Sequence, residues 1–267
     1  GALATAMLDW ANAEGIGFSH FISLGDSADV DFGDVLDYLA SDAATRAILM
    51  YVEPVKHARK FRPAGRPAAR NKRVIVVKAG RAPEGARAAA SHTGAMAGSD
   101  AVFDAAVRRA GLLRVDSLEA LFDAAETLAH ARTWRGERLA ILTNGGGAGV
   151  LAADALSLGR GRAAELSAET TARLDAVLPA NWSRANPVDI IGDAPVQRYL
   201  DALKVLLEAP EVDGVLFIHA PTAIVPATDI AQACLPLLRS AGKPILSCGL
   251  GGRSVLEARR LFHEAGL

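Results

Sequence analysis

The chain has 267 residues and a mass of 27.8 kDa, with 29 basic against 30 acidic side chains, a formal charge of −1 and a sequence pI near 6.7. That balance excludes a basic nucleic-acid clamp; a charged fraction of 22% excludes disorder, and the lack of any apolar run near the ~20 residues of a membrane span excludes a transmembrane helix. Two cysteines, Cys234 and Cys248, are too few for a disulfide framework, so a cytoplasmic protein is expected; 51% hydrophobic residues over this length suit two domains of ordinary size better than one large one.

The first predicted element is a helix over ALATAMLDWANA, with Leu3, Met7 and Trp10 at helical spacing and Gly15 as its stop. An opening on a bare helix, without an initiator methionine, reads as a piece of a longer polypeptide. Phe18 to Ser23 follows as a short apolar strand, then a polar turn and a helix carrying Phe32, Val35, Leu36 and Leu39. The continuous apolar runs Arg46 to Tyr51 (RAILMY) and Arg73 to Lys78 (RVIVVK) have the pattern of strands covered on both faces, as in a parallel sheet. The glycine-punctuated stretch Gly80 to Gly98 is expected as a loop. It leads into a helix with Val102, Phe103, Ala106 and Val107 inward and Gly111 as its stop. Leu112 to Val115 is a strand, and Ser117 caps a helix over Leu118 to His130.

The segment ARTWRGER, residues 131 to 138, breaks the apolar period with three arginines, a glycine and an exposed Trp134, and marks the boundary between a domain over 1–132 and a second over 137–267. The second half continues with a strand Leu139 to Thr143, a glycine loop, a helix Val150 to Leu158, a capped helix Ala168 to Leu178 and a helix Pro195 to Ala209. A strand Gly214 to His219, a helix Thr228 to Ser240, a strand Lys243 to Ser247 and a helix after GLGGR complete it. The expected fold class is therefore α/β, with two doubly wound parallel-sheet domains whose loops gather at the strand carboxyl ends.

Chemistry concentrates in a few stretches. Ser91, His92, Thr93 and Gly94 set an imidazole among small residues ahead of a helix whose first turn holds Ser99 and Asp100. A helix N-terminus offers unpaired N–H groups and about half a positive charge to an anion. His92 is then either a nucleophile facing a phosphate, its second ring nitrogen held by a partner, or a solvated loop histidine. Glu53, beyond the strand RAILMY and before Pro54, is placed to orient His92 or is one more solvated strand-end glutamate. Lys56, Arg59 and Lys60 read as a wet helix face.

Asn144, Gly145, Gly146, Gly147, Ala148 and Gly149 follow a strand and open a helix, so their amides suit an anion, but the Gly-Lys-Ser/Thr ending of a P-loop is missing. Gly147-x-Gly149-x-x-Ala152, with Glu165 further on, fits the loose dinucleotide fingerprint and keeps an NAD-binding oxidoreductase open beside a plain strand-to-helix turn. Asn186-Pro187 reads as a turn into a short apolar strand that ends in Gly192-Asp193, with Asp189 or Asp193 as a ligand or capping residue or the whole as a structural turn. His219 and Cys248 point toward a crevice without the clustered spacing of a zinc site.

Taken together, GFSHFISLGDSADVDFGDVLDYL, SHTGAMAGSDAVFDAAVRRAG, RLAILTNGGGAG and NPVDIIGDA resemble the ADP-forming (NDP-forming) acyl-CoA synthetases of the succinyl-CoA synthetase superfamily, over nearly the whole chain. The segment RGERLAILTNGGGAG most resembles the bacterial branch in which the synthetase part is fused to a GCN5-type protein lysine acetyltransferase. The resemblance implies two succinyl-CoA-synthetase-like flavodoxin domains, the first strand of the first lying before Gly1, and an acid–thiol ligase that relays a phosphoryl group between acyl phosphate and ADP or ATP through a phosphohistidine. Carried over by residue, His92 is the phosphorylated group and Glu53 the glutamate that steadies it. Ser91, Thr93 and Gly94 adjoin the phosphate, Gly1 and Ala2 open one helix aimed at it, and Asn144, Gly145, Gly146, Gly147 and Gly149 open another.

The implied cofactors are CoA or acyl-CoA, phosphate, and ATP or ADP with magnesium. They are held mainly by CoA-binding and ATP-grasp domains of the parent polypeptide or a partner subunit. A homo-oligomer and a GCN5-type acetyltransferase domain are the other expected partners; nucleic acid and membrane are not. Two further functions stay open: a synthetase-like regulatory module sensing acyl-CoA for a protein lysine acetyltransferase, and the NAD-binding oxidoreductase.

Overall fold

A computed structural model describes residues 2–13, 15–25, 27–53, 55–93, 98–130, 134 and 136–267. The chain divides into two compact units, Gly1–Ala129 and His130–Leu267.

The first unit runs α1 (Ala2–Ala13), α2 (Phe32–Ser41), β1 (Ala47–Val52), α3 (Ala58–Asn71), β2 (Arg73–Lys78), α4 (Pro83–Thr93), α5 (Asp100–Ala110), β3 (Leu113–Val115) and α6 (Leu118–His130). Its sheet is parallel in the order β1-β2-β3, with Ala47 opposite Arg73 and Val52 opposite Lys78. Alternate strand residues serve opposite faces, which is why the runs are apolar throughout. Ile48, Met50, Val52, Val74 and Val76 pack with Leu36, Phe61 and Val107 from α2, α3 and α5. Leu49, Tyr51, Ile75 and Val77 turn the other way, against Met7, Leu121 and Leu128 from α1 and α6. Asp31 caps α2 by accepting from Gly33 N at 2.7 Å while Asp34 reaches back to Asp31 N at 3.0 Å.

Three expectations fail in this unit. Residues 18 to 23 form no strand, and Phe18, Phe21 and Ile22 are 37%, 42% and 45% exposed. The run has the composition of a strand but no ladder partner, since β1 pairs only with β2 among the described strands. The stretch from Gly80 to Gly98 is not a loop throughout, because α4 fills Pro83 to Thr93. Proline at the first helical position and three consecutive alanines outweigh the single Gly85. Val102 is 69% exposed; the inward stripe of α5 is Phe103, Val107 and Ala110, and Gly111 stops the helix at φ +82°.

The second unit runs β4 (Arg138–Thr143), α7 (Gly146–Leu158), β5 (Arg162–Ala163), α8 (Ala168–Asp175), β6 (Val188–Asp189), α9 (Val196–Glu208), β7 (Gly214–His219), α10 (Ala227–Ser240), β8 (Ile245–Gly249), a 3-10 turn (Arg253–Val255) and α11 (Leu256–Glu264). All pairings are parallel in the order β5-β4-β7-β8, and β6 also pairs with β4. One face carries α8 to α11 on a core that includes Leu142, Phe217, Leu203, Leu206, Ile230 and Phe262. Residues of α7 pack with Leu139, Ile141 and Ile218 on the other.

Along one edge of β4, β5 pairs with Arg138 and Leu139 and β6 with Leu142 and Thr143. The side chain of Asn186 fills the gap between them, accepting from Ile141 N at 2.8 Å and donating to Leu139 O at 2.8 Å and Ala164 O at 3.0 Å. A carboxamide thus stands in for a strand residue.

Two corrections belong here. Trp134 is half-buried against the α7 face, its ring so close over Gly214 that a Cβ there would lie 2.4 Å from it. The helix expected from Val150 begins at Gly146, so most of the glycine run is helical. No helix among the described residues is long and apolar enough to cross a membrane.

Candidate functional site

In the first unit Glu53 lies where β1 ends, and Ser91, His92 and Thr93 lie at the far end of the helix that follows β2. Glu53 follows β1 directly, and Ala79, one residue past β2, donates its N–H to Val52 O at 2.9 Å, so the chain that enters α4 leaves the sheet beside Glu53. Tyr51, two residues back on the same face, donates its hydroxyl to Glu53 Oε1 at 3.3 Å. Burial, then the charge of Glu53, pushes that hydroxyl's pKa up. Helix α4 holds Ser91, His92 and Thr93 in its last turn. The Ser91 hydroxyl is bonded to its own helix, donating to Arg87 O at 3.1 Å. Ala2 opens α1, whereas Gly1 and Gly94 lie outside the described residues, as does Pro54.

A neighbouring cluster escaped the sequence reading. Lys78 ends β2 only 5% exposed, and its ammonium donates to Ala79 O and Gly80 O, both at 3.3 Å. It lies 3.8 Å from Asp100 Oδ1 and 5.7 Å from the Phe103 ring centroid. Arg114 grips Asp100 at 2.7 and 2.9 Å and reaches Asp104 at 3.3 Å. Burial pulls the Lys78 pKa down, against the nearby Asp100 charge. The available signal was a lysine closing an otherwise apolar run, at the strand end where α/β proteins place their sites.

In the second unit Asn144 is 3% exposed, and its carboxamide exchanges two hydrogen bonds of 2.8 Å with the backbone of Ala220. The Gly145 amide donates to Thr143 Oγ1 at 3.0 Å, and the Gly149 amide to Gly145 O at 3.2 Å. Gly149 packs so tightly that a Cβ would meet Thr143 Cγ2 at 3.0 Å and Pro187 Cβ at 3.1 Å. Gly146 and Gly147, both exposed, are left as the amides of this run without a partner among the described residues. They sit at the positive end of α7 and suit phosphate oxygens.

Asp189 Oδ2 lies 2.8 Å from where a Cβ on Gly146 would stand, while its Oδ1 accepts from Ile191 N at 2.9 Å. The dinucleotide reading would set a pyrophosphate on this same turn. The two-residue β5 and the exposed Glu165 add nothing to that rival reading.

The chain thus offers two parallel α/β units, one with Glu53 at the end of β1 and one with a glycine-opened helix. Residues 1–128 match the family model of the succinyl-CoA ligase like flavodoxin domain, and residues 139–265 that of the ligase-CoA domain. The chain is 42% identical over its whole length to ADP-forming acetate–CoA ligase I of Archaeoglobus fulgidus, covering 38% of that protein. It is 36% identical to the alpha subunit of ADP-forming acetate–CoA ligase I of Pyrococcus furiosus, covering 58% of it. Among solved structures, the dinucleotide-forming acetyl-coenzyme A synthetase 1 of Ca. Korarchaeum cryptofilum, in complex with phosphate and ADP, matches with a TM-score of 0.92 at 34% identity, over all of this chain and 58% of that one.

The chain belongs to the ADP-forming acyl-CoA synthetase family of the succinyl-CoA synthetase superfamily. These relatives are ligases by name, and the expected attachment to an acetyltransferase finds no support in them.

Proposed function

We propose that this chain is the phosphoryl-relay part of an ADP-forming acid–thiol ligase, with His92 as the relay. The observation that carries the reading is the 42% identity to an ADP-forming acetate–CoA ligase across all 267 residues. The reaction balances in three steps. Phosphate displaces CoA from the acyl-CoA to give acyl phosphate; a neutral nitrogen of His92 attacks phosphorus as the bond to the acyl oxygen breaks and the carboxylate leaves; an oxygen of ADP then takes the phosphoryl group as the N–P bond breaks. Glu53 holds the second ring nitrogen so that the attacking one stays unprotonated. Tyr51 donates to Glu53 and limits the orientations of its carboxylate.

In the second unit the amides of Gly146 and Gly147 are the groups suited to phosphate oxygens. CoA, and ATP or ADP with magnesium, are assigned to CoA-binding and ATP-grasp domains in the same polypeptide or a partner subunit. A reaction that draws on CoA and nucleotide fits a cytoplasmic setting.

The test is incubation of the complete enzyme with ATP labelled in its terminal phosphate. An acid-labile, base-stable label on the peptide containing His92, lost in His92→Ala and formed about 100-fold more slowly in Glu53→Gln, is expected. A wild-type protein without label, or a label that persists in His92→Ala, overturns the relay.

A further inference from the structure

Helix α4 holds His92, yet none of its residues from Pro83 to Ser91 is buried, and none joins the apolar clusters of the first unit. A helix of 11 residues with no core face is marginal in water by itself. Its position depends on how its ends are attached, and one side chain reaches both attachments. At the root, the buried Lys78 ammonium donates to Ala79 O and Gly80 O, both at 3.3 Å, and neither carbonyl has another partner among the described residues. Beyond the His92 segment, the same ammonium lies 3.8 Å from Oδ1 of Asp100, the residue that opens α5.

Both attachments are fixed in turn. Gly80, at φ +69°, has its Cα 3.4 Å from where a Cβ on Gly85 would stand, so the turn into α4 is closely packed. Ala79 N donates to Val52 O at 2.9 Å, which sets that turn beside Glu53. Arg114 grips both oxygens of Asp100, at 2.7 and 2.9 Å, and Arg81 Nε lies 3.7 Å from it. Asp100, Arg81 and Arg114 are the charged groups facing the Lys78 ammonium, and the Phe103 ring covers it. From Pro83 to His92 the helix is a lever about 14 Å long, so a tilt of about 4° at its root moves the end by about 1 Å, a displacement that can cost about 100-fold in rate.

We propose that Lys78 is a positioning residue for the phosphoryl relay: its buried ammonium clamps both ends of the segment from Ala79 to Asp100 and so fixes where His92 stands relative to Glu53. The inference rests on the reading of His92 as the relay. The clamp needs the charged form of the lysine. Burial pulls its pKa below the ordinary 10.5, so the clamp is complete at neutral pH and is lost as the pH rises through that lowered value.

The test compares the complete enzyme in wild-type and Lys78→Met forms, methionine keeping hydrocarbon against Phe103. With terminally labelled ATP, labelling of His92 is expected to slow roughly 10- to 100-fold in Lys78→Met while the KM for ATP stays unchanged. The wild-type rate falls at alkaline pH, and the variant lacks that fall. Amide hydrogen exchange over residues 83–93 quickens roughly tenfold or more in the variant, with residues 36–41 and 47–52 as protected as before. Unchanged labelling, the same alkaline fall in the variant, unchanged exchange over 83–93, or a rise in exchange spread evenly over the unit overturns the proposal. Should Lys78→Met fail to fold, Asp100→Asn, which keeps the shape and removes the charge, is judged by its labelling and exchange against the same outcomes. A wild type without label removes the relay, and exchange over 83–93 then decides the clamp alone.

Discussion

Glu211 shows how a single side chain can tie two elements and leave a mark on stability. Its Oε1 accepts from Ser167 N at 2.7 Å, at the residue that caps α8. Burial by itself pushes the carboxyl up, but the bonds from Ser167 and Thr170 outweigh it and hold the pKa at about 2, against 4.5 for a free glutamate. The stabilisation is therefore complete above pH 4.5 and disappears as the pH falls toward 2. Urea midpoints measured across that window are expected to fall less in Glu211→Gln than in the wild type.

Tyr51→Phe is a second change at this scale. It removes the hydroxyl on Glu53 while leaving the ring in its cluster with Ile75, Val77 and Leu121. The melting temperature is expected to stay put while phosphoryl labelling of His92 slows roughly three- to tenfold, as loss of one hydrogen bond predicts. Local devices at this scale were legible in the sequence: Ser117 Oγ accepts from Ala120 N at 3.0 Å at the start of α6, and Gly111 stops α5. The role of Asn144 was not, because its partner Ala220 lies 76 residues further on.

Among elements, the runs RAILMY, RVIVVK, LAILT and GVLFIH came out within a residue of their strands, since a strand buried on both faces writes an unbroken apolar run. Phe18 to Ser23 carried a similar signal without the partner strand that would make it a ladder. Periodicity reports what a segment can become, and pairing decides what it is. The β4 edge illustrates the converse. The two paired residues of β5 are too short to read, β6 falls in the short apolar strand expected after Asn186-Pro187, and the edge is completed by Asn186. Asn186→Ala strips its side-chain bond from Ile141 N and Ala164 O and one of two from Leu139 O, which keeps Ala164 N, and is expected to cost roughly 2–3 kcal/mol, measured by denaturant unfolding.

For the molecule as a whole, the chain spans 38% and 58% of the two curated relatives described above, so the family was legible through long segments in order rather than through one complete active site. Each unit has a tryptophan to report on it: Trp10 stacks on Phe122 at 4.0 Å in the first, and Trp182 is buried in the core of the second. Leu203, fully buried in that same core, is the place to test it. Leu203→Ala is expected to destabilise the second unit by about 2–5 kcal/mol, seen as an earlier transition of Trp182 fluorescence in a Trp10→Phe, Trp134→Phe background. The lock between Asn144 and Ala220 also bears on how the protein ages. An asparagine before glycine is the pair most prone to deamidate, because the glycine nitrogen readily attacks the side-chain carbonyl. Here that nitrogen is turned to Thr143 Oγ1 and the carboxamide is clamped to Ala220. Folding stops this chemical clock, and molecules that unfold even briefly will accumulate aspartate at position 144, placing a second oxygen against Ala220 O and making the next unfolding easier.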